Sequence, residues 1–133
     1  MNTIRVLLVD DHAGFRSSLA SFLMKQKGVA VVGEAINGEE AIEKAERLQP
    51  DLVLMDLNMP VRGGFEATQE IKRRSPRTRV VILSMHGGEF YRRMAWRHAA
   101  DGFIDKASVK SDLLSVLFSA QRGVEPELVA ARA

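Results

Sequence analysis

The sequence contains no cysteine, only four prolines and only 6% aromatic residues. Without cysteine there is neither a disulfide framework nor a thiolate metal site. No apolar run approaches the roughly 20 residues of a membrane-spanning helix, and the first residues lack the long apolar region of a signal peptide. From these absences we expect a cytoplasmic protein that does not enter a membrane.

A strong charge of one sign is also lacking, since 19 Lys and Arg against 17 Asp and Glu give a net charge of +2. The basic residues cluster around Lys72-Arg73-Arg74, Arg77 and Arg79, which is more typical of solvated helix faces than of a nucleic-acid patch. We therefore expect no direct DNA binding by this segment. With 133 residues, of which 46% are hydrophobic, the chain can build one domain with a real core.

Short apolar runs and amphipathic stretches alternate along the chain. The runs predict strands over 4–10, 29–35, 52–56, 80–84 and 102–104, each followed by one helix. This rhythm is typical of a parallel sheet, and it predicts an α/β fold of the doubly wound (βα)5, flavodoxin-like type, with strand order 2-1-3-4-5 and helices on both faces. We assign residues 1–121 to this domain, and 122–133 to a C-terminal tail or linker remnant.

Local signals refine the helices. Asn37 followed by Glu40 predicts a capping box at the start of the second helix, and Ser108 is expected to cap the last. In the fourth helix, Tyr91, Ala95 and Ala99 are expected to point inward. That orientation would leave Trp96 half exposed.

The central stretch is Leu52-Val53-Leu54-Met55-Asp56-Leu57-Asn58-Met59-Pro60, a buried strand that ends in one carboxylate. In this topology Asp10, Asp11, Asp56, Ser84 and Lys106 all reach the same sheet edge, where open α/β sheets bind ligands. Three carboxylates so close need a cation, and oxygen ligands without Cys or His favour Mg²⁺. A carboxylate beside Mg²⁺, a hydroxyl and an ammonium is suited to accept a phosphoryl group, which would form an acyl phosphate on Asp56.

Each of these residues also has a simpler interpretation. Asp10 and Asp11 would be favourable at the N-terminus of the first helix, and Asp56 is a common type of turn residue. Ser84 could be an ordinary strand-end hydroxyl, and Lys106 a surface charge. Their coincidence at the strand ends of one alternating pattern favours a site.

Four motifs carry a resemblance to a known family: Val9-Asp10-Asp11-His12, Met55-Asp56-Leu57-Asn58-Met59-Pro60, Leu83-Ser84-Met85-His86 and Gly102-Phe103-Ile104-Asp105-Lys106. Over about residues 3–121 the chain resembles the receiver domain of two-component response regulators, and most closely the NarL/FixJ (LuxR-type) subfamily. The resemblance implies a signalling switch rather than an enzyme, in which a histidine kinase or a small phosphodonor phosphorylates Asp56.

The resemblance also implies roles for the other site residues. Asp11, Asp56 and the backbone carbonyl of Asn58 would bind Mg²⁺, and Asp10 would act partly through water. Ser84 and Phe103 would form the switch pair that re-poses the face of the fourth helix, fifth strand and fifth helix. The side chains of Asn58 and His86 would tune the lifetime of the acyl phosphate.

The sequence departs from the family pattern at three positions. Phe103 stands where tyrosine is common, so we expect a larger inward population of its ring in the unphosphorylated state. Ala107 replaces a frequent proline, which makes the usual cis peptide after Lys106 unexpected. Ala99 replaces a common glycine, so the fourth helix is expected to end differently or to run on.

Two other function classes occur on the same topology. A flavin or nucleotide carrier needs a phosphate cradle after the first strand, where Asp10 and Asp11 would repel a phosphate unless a metal ion is bound. An aspartyl-phosphate phosphatase needs an acid two residues after the nucleophile, and Asn58 is no acid.

Within the signalling class the output stays open: a transcriptional regulator with a separate helix-turn-helix domain, or a stand-alone receiver that docks on a partner or passes its phosphoryl group onward. The resemblance also makes a homodimer through the first and fifth helices plausible.

Overall fold

Strands and helices alternate along the chain, as the sequence predicts. The computed structural model describes residues 3–59 and 61–121. The strands are β1 (Ile4–Val9), β2 (Val29–Ala35), β3 (Leu52–Asp56), β4 (Arg79–Ser84) and β5 (Gly102–Asp105). The helices are α1 (Ala13–Met24), α2 (Gly38–Leu48), α3 (Gly64–Arg74), α4 (Glu89–Arg97) and α5 (Val109–Gln121). The predicted tail, 122–133, lies outside the described residues, so this boundary stays a prediction.

The five strands form one parallel sheet in the order β2-β1-β3-β4-β5. β3 lies at the centre, where Leu54 is paired with Leu8 on one side and Val81 on the other. The predicted doubly wound, flavodoxin-like fold is therefore confirmed. Because all strands run the same way, their C-terminal ends meet at one edge.

Both faces of the sheet are covered by helices. Alternate residues of a strand point to opposite faces: in β3, Val53 and Met55 join the core beneath α2, α3 and α4, whereas Leu52 and Leu54 join the core beneath α1 and α5. All five residues of β3 are buried. This double burial explains why the run reads as continuously apolar up to Asp56.

Side chains close the N-termini of two helices. The Asn37 side chain accepts a hydrogen bond from the Glu40 N–H at 2.8 Å, and Glu40 Oε1 accepts from the Ile36 N–H at 2.8 Å. The predicted capping box is thus present, with its return bond one residue earlier than the standard pattern. At α1 the cap is His12, whose Nδ1 accepts from the Phe15 N–H at 3.2 Å.

The expectation for the end of α4 was wrong. The helix ends at Arg97, and Ala99 itself takes the left-handed conformation, with φ of 68°. The Ala99 N–H donates to Trp96 O and the Ala100 N–H to Ala95 O, both at 3.0 Å. This pair of bonds is a Schellman motif, so the backbone keeps the glycine geometry although the residue is alanine. Ala99 is consequently exposed rather than inward.

Ser108 is the residue directly before α5, the position of the predicted cap. A 3-10 turn, Lys106–Ser108, precedes the helix, and the Ser108 hydroxyl donates to the Asp112 carboxylate at 2.8 Å. No peptide bond among the described residues is cis, which agrees with the expectation for Ala107. Within residues 3–59 and 61–121 we find no helix with the length and apolar character needed to cross a membrane.

Candidate phosphoacceptor site

Three carboxylates meet at the C-terminal edge of the sheet. Asp10 and Asp11 follow β1, and Asp56 is the last residue of β3. One oxygen from each lies within 4.8 Å of the others. Asp10 and Asp56 are 3% and 6% exposed, whereas Asp11 faces solvent. The predicted acidic cluster is therefore assembled, with two members shielded from water.

Lys106 reaches this cluster from the end of β5. Its Nζ lies 2.9 Å from Asp10 Oδ2 and 3.0 Å from Asp56 Oδ1. The ammonium also lies over the ring of Phe15, 4.3 Å from its centroid. In the sequence, the helical spacing of Phe15 predicts only a core residue of the first helix. The Lys106 ammonium thus bridges two of the three carboxylates, and it also contacts the face of the Phe15 ring.

The charges in the cluster perturb one another. Burial raises the pKa of the Asp56 carboxyl above its ordinary value of 3.8; the hydrogen bond from Lys106 opposes the rise, and the charges of Asp10 and Asp11 add to it. For Lys106, burial works to lower the pKa, but the hydrogen bonds to Asp10 and Asp56 together with the charges of these carboxylates raise it above its ordinary value. The Lys106 ammonium therefore stays charged, whereas the negative charge of Asp56 is only partly neutralised by its neighbours.

Asp10 and Asp11 differ in their freedom to bind an added ion. The Asp10 oxygens are both engaged: Oδ1 accepts from the His12 N–H at 2.8 Å, and Oδ2 accepts from Lys106. For the Asp11 carboxylate, the described part of the chain contains no hydrogen bond or ion-pair partner. Asp11 is thus the carboxylate most available to a cation.

Ser84 lies at the same edge, but its hydroxyl is turned to its own loop. Ser84 Oγ donates to the His86 carbonyl oxygen at 3.1 Å and accepts from the His86 N–H at 2.9 Å. The residue is 1% exposed. Ser84 therefore lies at the predicted edge, and this turn engages its hydroxyl.

The loop after Asp56 is packed against the strand it leaves. A Cβ on Gly64 would lie 2.2 Å from the Asp56 carbonyl oxygen, so only glycine fits there, and the Gly64 N–H donates to Leu57 O at 3.0 Å. Asn58 is exposed in this loop. In the sequence, Gly63-Gly64 predicts only the start of a helix, because the close approach of Gly64 to Asp56 depends on tertiary structure.

The fold and this edge match a known family. A family model described as the response regulator receiver domain matches residues 6–118. The chain belongs to this family. Over 118 residues it is 39% identical to the nitrate/nitrite response regulator protein NarL of Escherichia coli, a match covering 89% of this chain and 55% of NarL. Over 132 residues it is 40% identical to the response regulator protein VraR of Staphylococcus aureus, covering 96% of this chain and 62% of VraR.

A solved structure agrees with these relatives. The crystal structure of a LuxR-family two-component response regulator from Aurantimonas sp. SI85-9A1 aligns with a TM-score of 0.86 at 33% identity, covering 93% of this chain and 89% of that one. The predicted membership of the NarL/FixJ (LuxR-type) receivers is confirmed. The receiver chain spans less than two thirds of the length of NarL and VraR.

The donor set of this receiver fits a hard divalent cation. It offers carboxylate oxygens, one of them free at the surface and one buried with incompletely compensated charge, and such ligands suit Mg²⁺. The three histidines are not gathered there: the His86 ring stacks on Tyr91 and the His98 ring on Phe65, while His12 caps α1. Zinc coordination therefore finds no support in the described residues.

Phe103, the second residue of the predicted switch pair, has its side chain buried in the receiver. Phe103 is 3% exposed, and the guanidinium carbon of Arg92 lies 5.4 Å from its ring centroid. The inward ring agrees with the expectation for an aromatic residue without a hydroxyl. On α4, Trp96 is 50% exposed, as predicted from the inward positions of Tyr91 and Ala95.

Proposed function

We propose that this receiver is a phosphoacceptor switch in which Asp56 takes a phosphoryl group from a histidine kinase or a small phosphodonor. The observation that carries the proposal is the contact between Lys106 Nζ and Asp56 Oδ1 at 3.0 Å, inside a cluster of three carboxylates. This arrangement provides a nucleophilic carboxylate and a fixed positive charge for the phosphoryl oxygens.

Each side chain has a definite part in the proposed transfer. An Asp56 oxygen forms a bond to phosphorus, the bond between phosphorus and the donor atom breaks, and the donor leaves with that electron pair. Lys106 neutralises an oxygen of the transferred group. Asp11, Asp56 and the Asn58 carbonyl would hold Mg²⁺, with Asp10 acting partly through water. The ion, when bound, offsets the electrostatic repulsion between the negatively charged carboxylates and a negatively charged phosphoryl donor.

Ser84 and Phe103 would convert phosphorylation into a change of surface. To hydrogen-bond a phosphoryl oxygen, the Ser84 hydroxyl must give up its bond to the His86 carbonyl. Movement of this turn would alter the packing around the buried Phe103 and so re-pose α4, β5 and α5. The proposal is a shift between two states that a local charge change biases.

In this proposal the receiver is not an enzyme, because Asp56 is itself modified. Its output would be transcriptional through a further helix-turn-helix domain, as the resemblance to the NarL/FixJ subfamily implies. Docking of a stand-alone receiver on a partner, or onward phosphoryl transfer, is the alternative. A cytoplasmic location stays a prediction.

A phosphorylation-dependent homodimer is part of the same proposal. Met24 on α1 and Leu114 and Phe118 on α5 are 69%, 46% and 59% exposed, respectively. These apolar side chains support pairing through the α1 and α5 surface. Light scattering should report a dimer after phosphorylation, and a monomer in both states at high protein concentration would contradict this part.

Intact-mass spectrometry after incubation with acetyl phosphate and Mg²⁺ tests the switch. We expect a mass gain of one phosphoryl group in the parent and none in Asp56→Asn. Asp51→Asn is a matched control, because Asp51 precedes β3 at the opposite edge of the sheet and should leave uptake unchanged. Phosphoryl uptake by Asp56→Asn at the rate of the parent protein would reject the proposal. Rapid, continuous release of phosphate by the parent protein would favour a phosphatase.

A further inference from the structure

Arg16, in the first turns of α1, joins three elements beside the acidic cluster. Its Nε lies 2.6 Å from Glu34 Oε1 on β2, and its Nη1 donates to the backbone carbonyl oxygen of Asp10 at 2.7 Å. The Arg16 side chain is only 18% exposed. One guanidinium therefore connects α1, β2 and the end of β1.

The carbonyl that Arg16 holds belongs to the peptide unit between Asp10 and Asp11. This unit is planar, so its orientation decides where the Asp11 side chain begins. The Asp10 N–H is fixed separately, by a bond to Ala35 O at 3.0 Å. Because the Asp11 carboxylate has no partner within the described residues, its position depends on this backbone. Arg16 holds this backbone at the Asp10 carbonyl, and the Asp10 carboxylate, which accepts from the His12 N–H, holds it on the other side of Asp11.

We propose that Arg16 is a positioning residue for cation binding, which presets the Asp11 carboxylate relative to Asp56 by holding the Asp10–Asp11 peptide unit. This inference rests on the proposed function, since it takes Mg²⁺ as the ion. Arginine suits the task because its planar fork reaches the Glu34 carboxylate and the Asp10 carbonyl together, whereas a lysine offers one point of charge. A preset carboxylate loses less conformational freedom when it binds an ion.

Positioning and simple electrostatics predict opposite signs for the loss of Arg16. A positive charge near a cation site repels the ion, so by charge alone Arg16→Gln would tighten Mg²⁺ binding. If Arg16 acts by positioning, the same substitution weakens binding. Arg16→Lys, which keeps the charge and loses the fork, should weaken binding as well.

Calorimetric titration of Mg²⁺ into the full chain separates these cases. We expect the dissociation constant to rise about tenfold in Arg16→Gln and Arg16→Lys, the lower end for residues that orient metal ligands. Glu34→Gln should give a smaller rise, because its amide oxygen still accepts from Arg16. Arg73→Gln is the control: it also removes an Arg–Glu pair, with Glu70 on α3, and should bind Mg²⁺ like the parent.

A kinetic measurement distinguishes positioning from general damage to the fold. In acetyl phosphate uptake, the Mg²⁺ concentration for half-maximal rate should rise in the Arg16 variants, while the rate at saturating Mg²⁺ returns to about the parent value. Unchanged or tighter Mg²⁺ binding in both variants would overturn the inference and leave the proposed function standing. A parent protein that neither binds Mg²⁺ nor takes up phosphoryl would overturn both.

Discussion

Asp56 is buried beside two other carboxylates, and its ionisation therefore opposes folding. Because burial raises its pKa in the folded state, the stabilising contribution of Asp56 is present at low pH and is lost as pH rises through the raised value. Asp56→Asn should thus have a larger free energy of unfolding than the parent at pH 7 without Mg²⁺. The difference should shrink as pH falls towards the ordinary carboxyl value of 3.8.

Urea unfolding of both proteins at several pH values measures this difference. The substitution also removes the ion pair between Asp56 and Lys106, but Lys106 keeps its contact with Asp10. An Asp56→Asn variant less stable than the parent at pH 7 would mean that the lysine more than compensates for burial and repulsion.

Thr68 on α3 is a second buried polar residue, and it lies outside the site. It is fully buried, and its Oγ1 finds no hydrogen-bond partner among the described residues. A buried hydroxyl without a partner costs about 1–3 kcal/mol. Thr68→Val should therefore raise the free energy of unfolding by about 1 kcal/mol, as measured by urea unfolding.

Thr78 provides the matched comparison for Thr68. It is also buried, but its Oγ1 donates to the Pro50 carbonyl oxygen at 3.0 Å. Thr78→Val should lower the free energy of unfolding by about 1 kcal/mol. An equal decrease in the free energy of unfolding in Thr68→Val and Thr78→Val would show that the Thr68 hydroxyl has a hydrogen-bond partner.

At the scale of elements, the end of α4 contains stored backbone strain. Ala99 has φ of 68° in a position where the Schellman motif favours glycine, and the left-handed conformation costs an L-residue roughly 1–2 kcal/mol. Ala99→Gly should raise the melting temperature and stabilise the fold by about 1 kcal/mol. Destabilisation by this substitution would contradict the strain argument.

Gly88, before α4, gives the reverse test. Its φ is 107°, and a Cβ there would meet nothing within 4 Å. Gly88→Ala should therefore destabilise through its backbone alone, with no steric clash. Together the two variants would show that both ends of α4 depend on conformations that suit glycine.

The elements were predictable from the sequence to the extent that they depend on local patterns. β3 was defined by its apolar run, and α2 by Asn37 and Glu40. The cap of α1 by His12 was not predicted, because histidine is an uncommon N-cap and its ring had to reach the Phe15 N–H. The end of α4 does not follow from the residue type at Ala99, because the two hydrogen bonds that close the helix hold its backbone in the left-handed conformation.

At the scale of the whole molecule, parallel topology explains why the site could be located in advance. Strands that run the same way end at one edge, so Asp10 and Asp56 lie at the ends of neighbouring strands at the same edge, where Lys106 also follows β5. Topology does not determine side-chain rotamers or hydrogen-bond partners. The turn that engages Ser84 Oγ, the Phe15 ring beneath Lys106 and the Arg16 bond to the Asp10 carbonyl therefore emerged only from the structure.

Cation binding should stabilise the entire fold, because the site is formed by the ends of separate strands. At a Mg²⁺ concentration of 100 times the dissociation constant, the free energy of unfolding should rise by about 2.7 kcal/mol. The gain should be much smaller in Asp11→Asn. Sodium chloride at equal ionic strength is the control, and an equal gain from that salt would point to general screening instead of a site.

Chemical trapping of the acyl phosphate tests most directly whether the Asp56 carboxylate accepts the phosphoryl group. After phosphorylation by acetyl phosphate and Mg²⁺, borohydride reduces an acyl phosphate of aspartate to homoserine, and peptide mapping then locates the modified residue. We predict homoserine at position 56 and at neither Asp10 nor Asp11. Homoserine at another aspartate, or unmodified peptides from protein that has gained one phosphoryl group, would contradict the account.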